Sequence, residues 1–274
     1  MNRDIRPVLT DQNEATKIGF LGFNFDDLSE EQALQHIRVL IGKRDFSYLI
    51  TPNVDHVVTF NQTSDPVILD AYRRADITLC DSRILTKLAG LSGVKLVAVP
   101  GSDLTRMLLQ VANSDWRFAV IGGDAALHSK IATIYPKFEW IFFQPPMRVR
   151  NDPSARLKIA EFVESASADI IFFAIGAPQS EITCHEIARR GRATGVALCI
   201  GASLEFLAGA KKRAPSWMQH MSLEWLYRLG SEPKRLWRRY LLDGPPIFSI
   251  WWRWHRVRAA RRRAESGSSQ SGVR

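Results

Sequence analysis

RFAVIGGD (117–124), DIIFFAIGAP (169–178) and GVALCIGAS (195–203) decide the fold. Each is an unbroken apolar run that passes straight into glycine, and a helical pattern follows each one. A strand that is apolar at every position has to be covered on both faces, as in a parallel sheet sandwiched between helices. We therefore expect an α/β fold, a Rossmann-like, mostly parallel sheet with helices on both faces. Working outward, FSYLIT (46–51), ADITLCD (75–81), KLVAV (95–99) and WIFFQPPMRV (140–149) read as further strands. Helical patterns fall at about 30–43, 54–60, 64–75, 82–91 and 102–113, and KIGFLGFNFDDLS (17–29) reads as a short hairpin before the first of them. Residues 1–16 form a flexible leader in this reading, and 17–210 the core.

After Gly209 the texture changes. Pro215 and Pro233 are placed to open helices over roughly 216–229 and 233–242. Farther on, Ile247, Ile250, Trp251, Trp254 and Val257 recur at helical spacing within IFSIWWRWHRVRAARRR (247–263). Residues 211–274 carry 15 Lys/Arg against 4 Asp/Glu, whereas 1–210 carry 22 against 24, so the net charge of +9 belongs to the C-terminal part. Six of the eight tryptophans lie there too. We expect a basic, Trp-rich helical appendage over 211–264, then a disordered tail over 265–274. Trp with Arg suits a membrane interface, and aromatic-plus-basic text also describes single-strand nucleic-acid binders. We assign 247–263 to an anionic membrane surface, expect no nucleic-acid partner, and assign 217–242 to closure over the active site.

No apolar run approaches the ~20 residues of a membrane span, and the polar start lacks the apolar stretch of a secretion signal. Cys80, Cys184 and Cys199 are too few and too scattered for a disulfide framework and read as buried thiols of a reducing compartment. The expected location is the cytoplasm, peripheral on the cytosolic face of the inner membrane.

In open parallel sheets, ligands collect where the strands end. The candidates are thus Thr51 and Asn53, Asp81, Ser102 and Asp103, Gly122 and Gly123, then Gly176, Pro178, Gln179 and Glu181, and finally Gly201. Glycine there lets backbone N–H groups approach a phosphate at a helix N-terminus, which predicts a nucleotide or other phosphorylated ligand. GxGxxG is absent, against a nicotinamide-dependent oxidoreductase, as are GxxxxGK[ST] and GxSxG. The six histidines are dispersed, so neither a metal nor another cofactor is expected. Asp81, at the end of an apolar strand, has two readings open: a general base for an attacking hydroxyl, or the N-cap of the helix at 82–91.

TPNVD (51–55), AYRRADITLCDS (71–82), GSDL (101–104), IGGD (121–124), GAPQSE (176–181), GASLEFLAGAKKRAP (201–215) and the segment from Trp217 to Leu241 resemble, in order and spacing, the WecG/TagA/CpsF glycosyltransferases (glycosyltransferase family 26). The resemblance implies inverting transfer of a hexose-type sugar from a UDP-sugar to a polyprenyl-diphosphate-linked saccharide, in bacterial exopolysaccharide or surface polysaccharide biosynthesis. It places the base on Asp81 and a pocket hydroxyl on Thr51. Arg213, Arg228, Arg235 and Arg238 of the appendage then offset charge on the leaving group. Ser82 stands where the family usually has glycine, Ser180 where it has glutamine (with Gln179 one residue earlier), and Ala98 where it often has arginine, for which Arg83 and Arg106 are the nearby replacements. The donor stays open among N-acetylmannosamine, its uronate, glucose and other hexoses.

Overall fold

The computed structural model describes residues 16–210, 214, 215, 217, 218, 221 and 223–270, with side chains through 261. Arg213 and all of the leader before Thr16 lie outside the described residues, as do 271–274. A hairpin, β1 (Lys17–Phe20) with β2 (Phe23–Asp26), leads into α1 (Glu30–Lys43), which Ser29 and Gln32 open with a reciprocal capping box. Then follow β3 (Ser47–Ile50), α2 (Val54–Gln62), α3 (Pro66–Arg73), β4 (Ile77–Thr78), α4 (Arg83–Leu91), α5 (Gly101–Val111), β5 (Arg117–Ile121), α6 (Ala125–Ile134) and β6 (Glu139–Phe143). The core closes with α7 (Pro153–Ala166), β7 (Ile170–Phe173), α8 (Gln179–Arg190), β8 (Val196–Cys199) and α9 (Ser203–Leu207).

Six strands pair in the order β4-β3-β8-β7-β5-β6, every pair parallel. Successive strand residues point to opposite faces. Tyr48, Ile50, Ile171, Phe173 and Ala197 join an apolar cluster with α2, α3, α4, α7 and α8, while Leu49, Ile170, Phe172 and Leu198 join one with α1, α5 and α6. Both clusters are buried, which is the demand that three all-apolar strands made. The three cysteines are buried and free, and burial pushes the Cys80 thiol up to about 12. KLVAV (95–99) forms less strand than its wording suggests: only Ala98 pairs, through a single parallel bridge to Cys80, and Pro100 ends the run at once.

Beyond the core lie α10 (Glu224–Ser231), α11 (Pro233–Arg238) with proline in its first turn, a π-helical turn (Arg239–Asp243) and α12 (Pro246–Gln270). The sequence places a helix at 216–229; of the described residues there, Trp217 and Met218 are helical and α10 begins at Glu224. It also places a disordered tail from 265, where α12 still continues.

The apolar stripe of α12 requires the largest correction. Ile247 and Ile250 are buried, and Trp251 and Trp254 are half-buried against the core rather than presented to lipid. The Trp251 indole donates to the Leu88 carbonyl and the Ser92 hydroxyl, each at 2.9 Å, and Trp254 meets Phe20 edge-on at 5.1 Å. Of that stripe only Val257 is exposed; Phe248 and Trp252, on the other side, face solvent. Periodicity finds an apolar face without showing what covers it.

Replacing Trp251 with alanine removes both the buried ring surface and its two acceptors' donor. The expected loss is about 2 kcal/mol of unfolding free energy, measured by urea denaturation against the wild type.

Candidate active site

Because the sheet is all parallel, β3, β4, β7 and β8 deliver their following residues to one edge. A cavity of about 570 Å³ opens there, floored by these strand ends and roofed by α10, α11 and the π-helical turn. Thr51, Asn53, Asp81, Ser102, Gly123, Gly176, Glu181, Gly201, Arg228 and Arg235 all line it. Several other candidates do not. Asp103 is engaged by Arg106, and Arg238 points toward Asp243 at 3.9 Å with most of its side chain in solvent. The Gln179 amide donates back to the Ile175 carbonyl, leaving Ser180 as the member of that pair on the cavity wall; Pro178 is off the wall as well. Gly122 serves packing: with φ +103°, a Cβ there would come within 2.9 Å of Ile175 and 3.0 Å of the Ala174 backbone. Of the two replacement arginines, Arg83 reaches the cavity, while Arg106 stays with Asp103.

Asp81 follows the Cys80–Ala98 bridge, and its backbone N–H donates to the Pro52 carbonyl, joining the two strand-end loops. Ser82, not Asp81, caps α4 by accepting from the Leu85 N–H, so the N-cap reading of Asp81 does not hold. Burial pushes the Asp81 carboxyl up to about 7, and the neighbouring Glu224 pushes the same way; Arg228, His56 and the Gly101 N–H oppose the rise only in part. A carboxylate tuned near neutrality can accept a proton from a hydroxyl and release it again. Thr51 lies beside it, its hydroxyl donating to the Cys199 carbonyl at 3.3 Å. A Cβ at Gly101 would sit 3.0 Å from that hydroxyl oxygen, so glycine is needed for α5 to start against Thr51.

The roof adds groups the sequence did not single out. Arg239 pairs with Asp55 of α2 at 2.6 Å, tying roof to floor, and Tyr240, Trp225 and Glu224 complete the wall. Arg228 lies over the Phe206 ring at 5.0 Å. On the floor, His56 meets Glu181 at 3.3 Å. These residues sit inside helices, away from the strand-glycine signals that mark the edge, and TPNVDH was the text in which Asp55 and His56 could have been noticed. Among the described residues no helix is long and apolar enough to cross a membrane.

A family model described as the "Glycosyl transferase WecG/TagA/CpsF family" matches residues 18–262. A Bacillus subtilis (strain 168) protein named N-acetylglucosaminyldiphosphoundecaprenol N-acetyl-beta-D-mannosaminyltransferase is 27% identical over 198 residues, 70% of this chain and 75% of the relative. A Staphylococcus aureus (strain MRSA252) protein of the same name is 24% identical over 247 residues, 87% of this chain and 92% of the relative.

Two outcomes follow from the geometry. Gly101→Ala crowds Thr51 and lowers kcat/KM by about tenfold, the effect of a sub-ångström misplacement next to reacting groups, with the far-UV circular dichroism unchanged. For Asp81, the folded-state value lies above the ordinary 3.8, so the folded protein holds the extra proton between about 3.8 and 7, and stability falls as pH rises through that window. Asp81→Asn, which stays neutral, therefore melts higher than wild type at pH 8 and loses that advantage by pH 4 in differential scanning calorimetry.

Proposed function

The chain belongs to the WecG/TagA/CpsF glycosyltransferase family, and from that premise we propose that it moves a hexose-type sugar from a UDP-sugar to a saccharide carried on a polyprenyl diphosphate, with inversion. Family membership sets aside the oxidoreductase and nucleic-acid readings. One observation carries the proposal: a carboxyl raised to about 7, Asp81, shares a cavity with guanidinium groups from the roof, Arg228, Arg235 and Arg239. A base and a set of cations on opposite walls suit a reaction in which a hydroxyl loses a proton while a diphosphate leaves with negative charge.

The acceptor class follows the relatives, whose names specify an N-acetylglucosaminyl-diphosphoundecaprenol acceptor. In the proposed step, Asp81 takes the proton of the acceptor hydroxyl as its oxygen bonds to the anomeric carbon. The bond to the UDP oxygen breaks on the opposite face, giving inversion. Backbone N–H groups near Gly123 and Gly176, at the starts of α6 and α8, lie against the diphosphate, and the roof arginines offset its charge. Thr51 and Asn53 position the sugar beside Asp81. No cofactor enters this scheme.

The lipid acceptor calls for a membrane surface. Trp237, Leu241, Leu242, Phe248 and Trp252 are about half-exposed in the segment that also carries the surplus arginine. Arg256 lies over the Trp252 ring at 4.6 Å. Indole and guanidinium together suit the headgroup layer of an anionic membrane. We place the protein peripherally on the cytosolic face, in surface polysaccharide or exopolysaccharide biosynthesis.

The test is transfer from a panel of UDP-sugars to a polyprenyl-diphosphate-linked N-acetylglucosamine, read by mass spectrometry. At least one donor gives a disaccharide product with release of UDP; no product from any donor overturns the proposal. Asp81→Asn lowers kcat by about 10²–10⁴-fold, and wild-type kcat falls as pH drops below about 7, where the base is protonated.

A further inference from the structure

The transfer proposed above has two diphosphates to house. One leaves with UDP; the other joins the acceptor saccharide to its polyprenyl chain. Inversion puts the attacking hydroxyl and the departing UDP on opposite faces of the anomeric carbon, so the two diphosphates lie on opposite sides of the transferred sugar. The sheet order offers them separate places. Gly123 and Gly176, beside the donor's diphosphate, follow β5 and β7, whereas α4 follows β4 at the edge of the sheet. β3 and β8 lie between β4 and β7, which makes three strand spacings, or about 14 Å, enough for a sugar.

Leu85, Leu88 and Ala89 turn the inner face of α4 into the core. Arg83, Lys87 and Leu91 recur every four residues on the other face and so form one row, about 12 Å long. Arg83 starts the row on the cavity wall, two residues after Asp81. Of the four described arginines on that wall, Arg239 is paired with Asp55, Arg235 with Glu232, and Arg228 lies over Phe206; Arg83 has neither a carboxylate nor a ring partner among the described residues. The carboxyls of the wall are answered by other cations: Asp55 by Arg239, Glu181 by His56, Glu205 by Arg235. The charges that chiefly set the Asp81 carboxyl are Glu224, Arg228 and His56, and Arg83 is not one of them. A guanidinium left without a counterion in a cavity is a place for an anion of the ligand.

Lys87, one turn on, is exposed and donates to the Met221 carbonyl at 3.1 Å, which fixes its ammonium and leaves two further donors. Leu91 ends the row 70% exposed, next to Gly90, where even a Cβ would meet nothing within 4 Å. This end of α4 holds Trp251 through the Leu88 carbonyl and the Ser92 hydroxyl, and the far side of α12 bares Phe248 and Trp252. The row thus passes from cations at the reaction centre to bare apolar surface beside the helix that faces the membrane in the reading above.

Resting on the glycosyl-transfer reading, we infer that the outer face of α4 seats the acceptor: Arg83 and Lys87 hold its diphosphate, and its isoprenoid chain leaves over Leu91. The order of groups along the row is the order along the acceptor, with the saccharide at Asp81, the diphosphate at the two cations and the hydrocarbon beyond them. One sugar ring separates the attacking hydroxyl from the diphosphate, as two residues separate Asp81 from Arg83. The roof arginines are left to the donor.

The experiment compares N-acetylglucosamine carried on farnesyl diphosphate, on methyl diphosphate and on an uncharged octyl group as acceptors, with the UDP-sugar that the donor panel selects. Affinity for UDP is read by calorimetry, and binding to phosphatidylglycerol vesicles by sedimentation. Arg83→Ala raises KM for the farnesyl diphosphate acceptor by about 10- to 100-fold, with donor KM, UDP affinity and vesicle binding unchanged, and has no such effect on the octyl acceptor. Arg83→Lys recovers part of the loss, and Lys87→Ala raises the same KM by about two- to fivefold. Leu91→Ser narrows the preference for farnesyl over methyl diphosphate by about fivefold. Arg106→Ala, which removes an arginine held by Asp103 away from the cavity, leaves every value unchanged. An unchanged acceptor KM in Arg83→Ala overturns the inference. So does an equal rise in donor KM, which assigns Arg83 to the donor's diphosphate, an equal loss on the octyl acceptor, or a parallel loss of vesicle binding, which makes Arg83 a headgroup contact. An unchanged chain preference in Leu91→Ser overturns the exit over Leu91. Each of these leaves glycosyl transfer intact, whereas a wild type that uses no UDP-sugar overturns the parent reading and this inference together.

Discussion

Everything in this molecule depends on a sheet whose strands all run the same way. Parallel strands end at a common edge, and the chain must travel the length of a helix before the next strand begins. The order β4-β3-β8-β7-β5-β6 puts the ends of β3, β8 and β7 side by side, so Thr51, Cys199 and Gly176, far apart in sequence, become neighbours. The helices that cover the sheet start at this edge and turn their N-termini toward it. The edge thereby gathers a carboxyl at 81 and a hydroxyl at 51 on one cavity wall, with a glycine at 101 packed against the latter.

The edge alone is an incomplete site. Its floor carries Asp81, Glu181 and Asp55, and of the described cations on the cavity wall Arg83 comes from the core, whereas Arg228, Arg235 and Arg239 come from the roof. The Arg239–Asp55 contact at 2.6 Å joins the two halves. Both members are only about one-third exposed, so the pair is less screened by salt than an ordinary surface bridge. Neither half holds both the Asp81 carboxyl and the full set of arginines that line the cavity.

The sequence made the sheet legible because three strands are apolar at every position, and only burial on both faces tolerates that. It made the strand-end residues legible because glycine marks where backbone must turn or come close. Thr51, Asp81, Gly123, Gly176 and Gly201 were found this way. His56, Glu224, Arg239 and Tyr240 were not, because they sit within helices where a polar residue looks like any solvated face until the partner element is known. Gln179 and Asp103 were over-read for the converse reason: each is at a strand end, yet its side chain turns back to Ile175 or Arg106. The stripe of α12 was seen, and its destination was not.

That destination has a consequence for how the chain holds together. Composition draws a line near residue 211, basic and tryptophan-rich on one side, near-neutral on the other. The packing ignores it: Ile247 and Ile250 are as buried as strand residues, and Trp251 closes hydrogen bonds on α4. Peeling α12 away would bare Phe20, Leu88 and the flank of α2 to water. The basic segment is therefore part of the same cooperative folding unit as the sheet, not a tethered module, and it melts, exchanges its amide protons and resists proteolysis on the core's terms. A mutation on the packed face of α12, at Ile250 or Trp251, is felt as lost stability of the sheet as well.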